Sequence, residues 1–300
     1  MRGATYNQLM IFQAIVQEGS IRGAARKLEI APPTASQALK ALEANLGLPL
    51  FLRTTRSMEL TEAGQLLYDN TTSAVSVLNQ ALESVHDLHN EPTGKVRITL
   101  PRFVCQWLLQ PVYAEFCQRY PQLQLEVSTS DATVNLINDG FDVGIRFGDR
   151  LEEGMIAQPL TAPLQEAIFA SPAYIARHGL PQTPDELASH QRIQYRFITA
   201  NKFAPTVLQP GEQRMEVAMA TALVVNDTDM VVDAACKGLG IGCMIRPIVA
   251  QHLASGELVP VLEDYWPTYP GLFLYYPRHS QKARRVRVFI DFLLQNCRRF

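Results

Sequence analysis

The sequence has no long apolar stretch, no regular cysteine pattern and no large excess of charge of either sign. None of its 300 residues lie in a segment long and apolar enough to span a bilayer, and polar residues interrupt the apolar ones in the first twenty, unlike a secretory signal. The five cysteines are scattered and form no CxxC or zinc pattern, which favours a reducing compartment over a disulfide framework. We therefore expect a cytoplasmic protein that uses neither a metal nor a cofactor.

Motifs that would supply a catalytic nucleophile or base are also missing. The sequence contains no GxSxG, no HExxH and no paired catalytic carboxylates. The glycines at 238, 240 and 242 follow a predicted helix and precede a predicted strand, whereas a dinucleotide-binding fingerprint requires the opposite order. We expect no catalytic residues and no enzyme activity.

The composition that remains is that of an ordinary globular protein, 47% hydrophobic and 19% charged, with length for about two domains. Its net charge of −2 hides an asymmetry. Residues 1–58 carry seven basic and three acidic side chains, whereas residues 59–91 carry six acidic side chains and no lysine or arginine. A basic head followed by an acidic stalk indicates that the head binds a polyanion.

The head has the pattern of three helices. Apolar residues recur at helical spacing in residues 9–16, and Ser20 is placed to cap a second helix over residues 21–28. After a short turn, Pro32-Pro33 suits the first turn of a third helix, which Gly47 ends. Two helices joined by so tight a turn predict a helix-turn-helix, whose second helix lies in the DNA major groove.

Residues 50–56 alternate between apolar and polar and predict a strand that turns into a wing. Hydrogen-bonding side chains early in the third helix are expected to reach bases or phosphates, and cations are expected to contact phosphates. The candidate DNA contacts are Pro33, Thr34, Ser36, Gln37, Lys40, Arg53 and Arg56. On the residues alone, the alternative is a helical bundle whose charges are simply solvated.

Several of these segments together resemble the DNA-binding domain of LysR-type transcriptional regulators. They are residues 31–47, Leu50-Phe51, the Arg-Thr-Thr-Arg run at 53–56 and the Leu-Thr-Glu-Ala-Gly run at 60–64. Residues 139–146, Asn226-Asp227, residues 238–242 and Pro247 are similar to the effector domain of the same family. The Arg-Thr-Thr-Arg wing resembles a large subgroup whose members often repress or autoregulate.

The resemblance implies a sequence-specific DNA-binding regulator of transcription that a small-molecule effector controls. The implied fold is α/β multidomain, with an N-terminal winged helix-turn-helix (residues 1–60), a linker helix (61–91) and a two-lobed effector domain similar to periplasmic binding proteins (92–300). The implied partners are double-stranded promoter DNA, a small-molecule effector and further copies of the chain, as homodimer or tetramer. Pro32 and Gln37 depart from the family, which often has Gln and a cation there, and we expect this to alter the operator sequence.

The linker pattern predicts a helix that Thr61 caps. A heptad stripe follows, formed by Leu67, Thr71, Ala74, Leu78, Ala81, Val85 and Leu88. This stripe either packs on the protein's own body or pairs with a second copy, and the resemblance favours the second alternative.

Strand and helix patterns alternate through residues 92–300, which predicts parallel sheets. The predicted strands are 96–100, 123–127, 141–147, 217–225, 241–245 and 272–276, and the predicted helices are 108–120, 134–138, 228–237 and 282–296. We expect the chain to cross between lobes near 162–163 and 266–267, so that lobe I holds about 92–162 and 267–300 and lobe II about 163–266.

Ligands of open α/β sheets bind beyond the carboxyl ends of the strands. The candidate effector-binding residues there are Pro101, Arg102, Phe103, Ser128, Ser130, Arg146, Phe147, Phe197, Asn226, Asp227 and Arg246. An anionic metabolite could dock at the start of the helix after Asn226-Asp227 and pair with an arginine. Alternatively the three arginines form salt bridges on the surface or between the lobes, and we expect one of the three to contact ligand.

Two other functions are compatible with parts of the sequence. A solute-binding receptor module without DNA function would be a monomer that ignores promoter DNA. A redox-sensing regulator would use cysteines such as Cys236 and Cys243, although buried, inert thiols are the simpler interpretation of that pair.

Overall fold

The computed structural model describes residues 3–53, 58–86, 91–148, 155–278, 280 and 283–297. The chain divides into two compact units, Met1–His86 and Asp87–Phe300, and we describe each unit by itself. In the part of the chain that the structure describes, no helix is long and apolar enough to cross a membrane.

The first unit is a helical head with a small hairpin. Its elements are α1 (Gly3–Glu18), α2 (Ile21–Lys27), α3 (Pro32–Leu46), β1 (Phe51–Arg53), β2 (Met58–Leu60) and α4 (Glu62–His86). Its core contains Phe12, Ile15, Leu39 and Leu42, all less than 2% exposed, and includes Tyr68 of α4. The apolar stripes of three helices therefore share one core, as their spacing predicts.

The predicted helix boundaries of the head are confirmed by their caps. The Ser20 hydroxyl accepts a hydrogen bond from the backbone N–H of Gly23 at 3.0 Å, and the Thr61 hydroxyl accepts one from Gly64 at 3.0 Å. Pro32 begins α3, and Gly47 ends it in the left-handed conformation (φ 72°).

The second unit contains two lobes, and each lobe is built on its own sheet. Lobe I contains β3 (Gly94–Leu100), α5 (Arg102–Val104) followed by a π-helical turn (Cys105–Leu109), α6 (Tyr113–Arg119), β4 (Leu123–Thr129), β5 (Val143–Phe147) and β6 (Met155–Pro159). Two later elements, named β15 (Leu272–Pro277) and α10 (Arg284–Cys297) in chain order, complete the lobe. The strand order is β4-β3-β5-β15-β6.

Lobe II contains the intervening elements. They are β7 (Leu164–Ala170), α7 (Pro172–His178), a 3-10 helix (Pro184–Ser189), β8 (Gln191–Tyr195), β9 (Val207–Leu208), β10 (Met215–Glu216), β11 (Ala220–Val225), α8 (Thr228–Cys236), β12 (Gly242–Ile245), α9 (Arg246–Ser255), β13 (Val259–Pro260), a second 3-10 helix (Glu263–Tyr265) and β14 (Thr268–Tyr269). A bridge between Arg192 and Ile241 brings β8 beside β12, which links the β11-β8 pair to the sheet around β7.

The sheets are mixed, so the prediction of parallel sheets is only partly right. β3 pairs in parallel with β4 and β5, and β8 pairs in parallel with β11. In contrast, β15 is antiparallel to both its neighbours, and β7 is antiparallel to β12, β13 and β14. β7 and β15 are each the first strand that the chain enters after changing lobes.

Two predicted helices are wrong in detail. Residues 108–120 do not form one helix, because a turn at 110–112, which contains Pro111, separates the π-helical turn from α6. Residues 134–138 are an irregular turn, in which the N–H of Phe141 bonds the carbonyl of Leu136 at 2.8 Å.

The chain passes between the two sheets at residues 160–163 and again at residues 270–271. The second crossing lies a few residues beyond the predicted one, because Thr268 and Tyr269 still pair with β7. The N–H of Leu160 bonds the carbonyl of Leu272 at 2.8 Å, and the N–H of Leu272 bonds the Thr161 hydroxyl at 2.9 Å. The first crossing segment is thus hydrogen-bonded to the residue that directly follows the second crossing.

Candidate DNA-binding surface and effector cleft

The outer face of α3 carries five of the predicted DNA contacts. Ala35, Leu39 and Leu42 face the core, and residues three and four apart share a helix face. The opposite face contains exposed side chains at Pro33, Thr34, Gln37 and Lys40 and a half-buried one at Ser36. This face starts at the N-terminus of α3, the part of a recognition helix that meets base edges.

The turn before α3 sets the angle between the two helices. Glu29 has a left-handed backbone (φ 54°), and the N–H of Ile30 bonds the carbonyl of Ala25 at 2.9 Å. On the other side of α2, Gly23 leaves no room for a side chain, since a Cβ there would lie 2.9 Å from the Ser20 hydroxyl oxygen. The left-handed conformation of Glu29 makes the turn tight, so α3 follows α2 directly as in a helix-turn-helix.

The wing is present as the antiparallel pair of β1 and β2, in which Phe51 faces Leu60 and Arg53 faces Met58. Residues 54–57, with the candidate contact Arg56, lie outside the described residues, and only the backbone of Arg53 is described. The hairpin is fastened to the head, because Glu43 accepts the N–H of Leu50 at 2.9 Å and the carbonyl of Pro49 accepts the Thr61 hydroxyl at 2.7 Å.

The heptad stripe of α4 is divided between two environments. Leu67 packs on the head core, and the Gln13 amide donates to the Thr71 hydroxyl at 3.0 Å. Leu78, seven residues further on, is 47% exposed. Ala81 and Val85 lie in α4 with side chains that are not described, and Leu88 lies outside the described residues. The first part of the stripe therefore packs on its own head.

In the second unit, the carboxyl ends of β3, β4 and β5 form one wall of a cleft. Pro101 is buried where α5 begins, and Phe103 is stacked on Phe147 with ring centroids 6.0 Å apart. Ser128 and Ser130 are half-buried at the end of β4. These predicted residues are brought together by the parallel pairing of their strands.

Arg102 joins the two lobes across this cleft. Its guanidinium lies 3.2 Å from the Asp227 carboxylate and 2.8 Å from the Asp229 carboxylate, both of lobe II. We call Arg102, Asp227 and Asp229 the interlobe clasp. The Arg102 side chain is 52% exposed, so the clasp is within reach of a solute.

A fourth charged group stands beside the clasp. Asp131 accepts the backbone N–H of Arg102 at 3.2 Å, and its burial, opposed by that hydrogen bond, raises the pKa of the Asp131 carboxyl. A second contact between the lobes lies nearby, where the N–H of Thr133 donates to the Thr199 hydroxyl at 2.7 Å.

Arg146 is buried, and its role differs from that of Arg102. Its guanidinium donates to the carbonyls of Ile145, Ser130 and Ala132 at 2.8–3.3 Å and to the Thr99 hydroxyl at 3.3 Å. These bonds fix the loop that follows β4. Arg246, by contrast, is exposed at the start of α9 and reaches Gln165 at 3.5 Å.

The lobe II wall is formed by residues that follow β8 and β11. Phe197 is half-buried and packs edge-on against Tyr195, and Asn226 is exposed. Asp227 caps α8, since its carboxylate accepts the N–H of Met230 at 3.0 Å. Asp227 and Asp229 therefore already offset the partial positive charge at the start of α8.

Two acidic residues at this site, Asp229 of the clasp and Asp131 beside it, were not among the predicted residues. Asp229 lies two residues after Asp227, in the first turn of α8, and Asp131 follows Ser130 directly. An acidic residue in the first turn of a helix is usually explained by the helix dipole. The position of Asp229 in the sequence therefore gave no indication of a contact across the cleft.

The candidate redox cysteines do not have the properties of reactive thiols. Burial raises the pKa of the Cys243 thiol to about 12, and burial together with Glu257 raises that of Cys236. A raised pKa lowers the fraction of the nucleophilic thiolate.

A helix-turn-helix with a wing, followed by a two-lobed α/β domain with an interlobe cleft, defines a DNA-binding regulator that responds to a ligand. The chain belongs to the LysR family of transcriptional regulators. Residues 6–65 match the family of bacterial regulatory helix-turn-helix proteins of the lysR type, and residues 89–298 match the LysR substrate binding domain. Regulators of this family bind DNA and small-molecule effectors and form oligomers, and they are not enzymes.

Individual relatives align over nearly the whole chain. The HTH-type transcriptional regulator YcaN of Escherichia coli is 31% identical over 94% of this chain and 92% of its own length. The structure of CrgA from Neisseria meningitidis superposes with a TM-score of 0.62 at 28% identity, covering 97% of this chain and 98% of that one. The full-length Vibrio cholerae virulence activator AphB gives a TM-score of 0.60 at 25% identity, with coverage of 97% and 98%.

Proposed function

We propose that this protein is a LysR-type regulator that reads promoter DNA through the outer face of α3 and responds to a small anionic effector at Arg102. The observation that supports the first part is the face formed by Thr34, Ser36, Gln37 and Lys40, which the core leaves outward. Arg53 and Arg56 of the wing are proposed to add phosphate contacts. The protein would act in the cytoplasm, where the bacterial chromosome lies.

The effector would exchange with the aspartates of the clasp. A carboxylate group matches the planar fork of a guanidinium in two hydrogen bonds. Arg102 already contacts two carboxylates, with one guanidinium nitrogen on Asp227 and the other on Asp229. When an effector carboxylate takes the place of Asp229, one of the direct contacts between the lobes is exchanged for a contact with the ligand. Binding would therefore shift the population of lobe arrangements, which is how the signal reaches the rest of the protein.

The assembly is proposed to be a homodimer or a tetramer of the chain. The observation that supports self-association is Leu78, an exposed apolar residue on the predicted heptad stripe of α4. In addition, a protein with two-fold symmetry matches a palindromic operator.

Promoter binding tests the DNA part of the proposal. A fluorescent fragment of the promoter beside the protein's own gene is titrated with wild type, Lys40→Ala and Gln37→Ala at several salt concentrations. Lys40→Ala should weaken binding to all fragments and flatten the salt dependence, while Gln37→Ala should change which operator variants are preferred. Lys237→Ala, which removes a cation paired with Asp233 in lobe II, is the matched control. If wild type and all three variants bind equally, α3 is not the reading surface.

A further inference from the structure

Three side chains of the types that ligate metals converge on one surface of lobe II, at the end of α8 opposite to the interlobe clasp. Cys236 is the last residue of α8, His252 lies in the last turn of α9, and Glu257 follows the end of α9. The Cys236 sulfur lies 4.0 Å from the His252 Nδ1, which lies 2.8 Å from the Glu257 Oε2. One donor atom from each of the three residues lies within 4.8 Å of the other two.

The backbone that carries these donors is well fixed. Gly256 ends α9 in the left-handed conformation (φ 75°), and the carbonyl of His252 accepts both the Ser255 hydroxyl and the N–H of Leu258 at 3.1 Å. The turn therefore folds Glu257 back over the histidine. Cys236 is partly buried against the core of lobe II, which holds its position as well.

The local charge favours a cation. The C-terminal ends of α8 and α9 both point to this place, and helix C-termini carry partial negative charge. Glu257 adds a full negative charge, and the neighbouring Asp233 is paired with Lys237 at 2.8 Å. Burial and these carboxylates raise the pKa of the Cys236 thiol, and a metal ion bound here would reverse that effect because it stabilises the thiolate.

We propose that Cys236, His252 and Glu257 bind a single divalent transition-metal ion of the zinc class, with a water molecule as the fourth ligand. Thiolate, imidazole and carboxylate are the donors that Zn²⁺ uses in proteins, and tetrahedral coordination at the usual bond lengths separates such donors by about 3.4–3.6 Å. Two of the observed separations, 4.0 and 2.8 Å, lie on either side of this range, and the third is at most 4.8 Å. Side-chain shifts on the order of half to one ångström therefore form the site.

Binding converts the thiol to a thiolate, and one proton leaves for each ion bound. The metal replaces the hydrogen bond between His252 and Glu257 and ties the end of α8 to the end of α9. The other end of α8 carries Asp227 and Asp229 of the interlobe clasp. The donors are 16 and 5 positions apart in the sequence, and this is why no metal spacing was recognised there.

Cobalt is the probe that tests the site, because a Co²⁺–thiolate bond gives a charge-transfer band in the near ultraviolet. The reduced full-length protein is titrated with Co²⁺, and Zn²⁺ is then added as competitor. We expect the band to saturate at one ion per chain and to disappear on addition of Zn²⁺. Cys236→Ser should abolish the band, while Cys117→Ser, which changes an exposed cysteine elsewhere, should leave it intact.

His252→Ala and Glu257→Gln should each weaken Co²⁺ binding at least about tenfold, since even the loss of a residue that only hydrogen-bonds a metal ligand has an effect of this size. Glu257 is exposed, so its variant tests the site without disturbing the core, and circular dichroism verifies the fold of all four variants. The absence of a charge-transfer band in wild type, or a band that persists in Cys236→Ser, would overturn the proposal and leave a hydrogen-bonded cluster at two helix ends.

Discussion

The guanidinium of Arg102 lies 2.8 Å from the carboxylate of Asp229, and these two groups belong to opposite lobes of the effector domain. Both side chains are about half exposed, and an ion pair so accessible to water contributes little to stability, on the order of 1 kcal/mol or less. A weak bond at the mouth of a cleft is one that a ligand can replace. The pair therefore bears on effector binding more than on folding.

Removing the carboxylate of Asp229 should make Arg102 more available to an anionic ligand. We expect Asp229→Asn to bind small mono- and dicarboxylates more tightly than wild type, and Arg102→Gln to lose that binding. Thermal shift across a carboxylate panel measures both effects. Asp233→Asn on the same helix, where the partner is Lys237, is the control. If Arg102→Gln responds to the panel as wild type does, the anionic effector proposal is wrong.

The exposed end of the α4 stripe provides a test of self-association. A charge at Leu78 should disfavour burial against a second copy, so Leu78→Lys should elute from a sizing column with light-scattering detection as a smaller species. Gln65→Lys is the matched control, because Gln65 is exposed on the opposite face of α4, where a lysine can pair with Asp69. Equal masses for wild type and Leu78→Lys would contradict a role for this face.

Gly64 is a position in the first turn of α4 where the usual effect of alanine should be reversed. In an open helix, glycine to alanine stabilises by about 1 kcal/mol, but a Cβ at Gly64 would overlap the carbonyl oxygen of Leu50 and crowd Leu60. We expect Gly64→Ala to destabilise the head by about 1–3 kcal/mol and to weaken DNA binding. Urea unfolding measures the free energy of unfolding of wild type and variant, and Gln65→Ala at the neighbouring exposed position is the control. A gain in stability for Gly64→Ala would show that the hairpin moves to make room for the Cβ.

Glu166 of β7 gives the effector domain a pH-dependent stability. Burial raises the pKa of its carboxyl from 4.5 to about 7, although Arg192 and the hydroxyl of Tyr269, 3.3 Å away, act in the opposite direction. A folded-state pKa above the unfolded value means that the folded form holds its proton longer. The contribution of Glu166 to stability is therefore fully present below pH 4.5 and is lost as the pH rises to about 7, a change on the order of 3 kcal/mol.

The comparison of wild type with Glu166→Gln isolates this contribution. Unfolding midpoints are recorded between about pH 5 and pH 8, the range in which the carboxyl titrates. The wild-type curve should fall with rising pH more steeply than that of the variant. Parallel curves would mean that Glu166 ionises as freely in the folded protein as in the unfolded one.

Much of the head could be predicted from its sequence because its signals are local. Ser20, Pro32, Gly47 and Thr61 each act on the backbone within a few residues, and a cap can be read without knowledge of the rest of the fold. The apolar spacing then gives the buried face. The predicted face of α3 is outward in the structure for the same reason.

The effector domain was less predictable because its decisive contacts are distant in sequence. Arg102 and Asp227 are 125 positions apart, and nothing near either residue indicates that they meet. The break at Pro111 was missed because the apolar periodicity continues on both sides of it. The antiparallel pairing was missed because the direction of a strand relative to its neighbours depends on where the chain crosses between the lobes. The apolar pattern of a single strand contains no information about those crossings.

Because the chain is synthesised from its N-terminus, the two crossings between the lobes affect the order in which the domains can fold. The sheet of lobe I needs β15, and its core needs α10, so that lobe stays incomplete until nearly all of the polypeptide has emerged. Lobe II and the helix-turn-helix have no such dependence. During synthesis, the DNA-binding domain would then fold before the effector domain is complete. A chain truncated near α10 would keep DNA binding and lose its control by the effector.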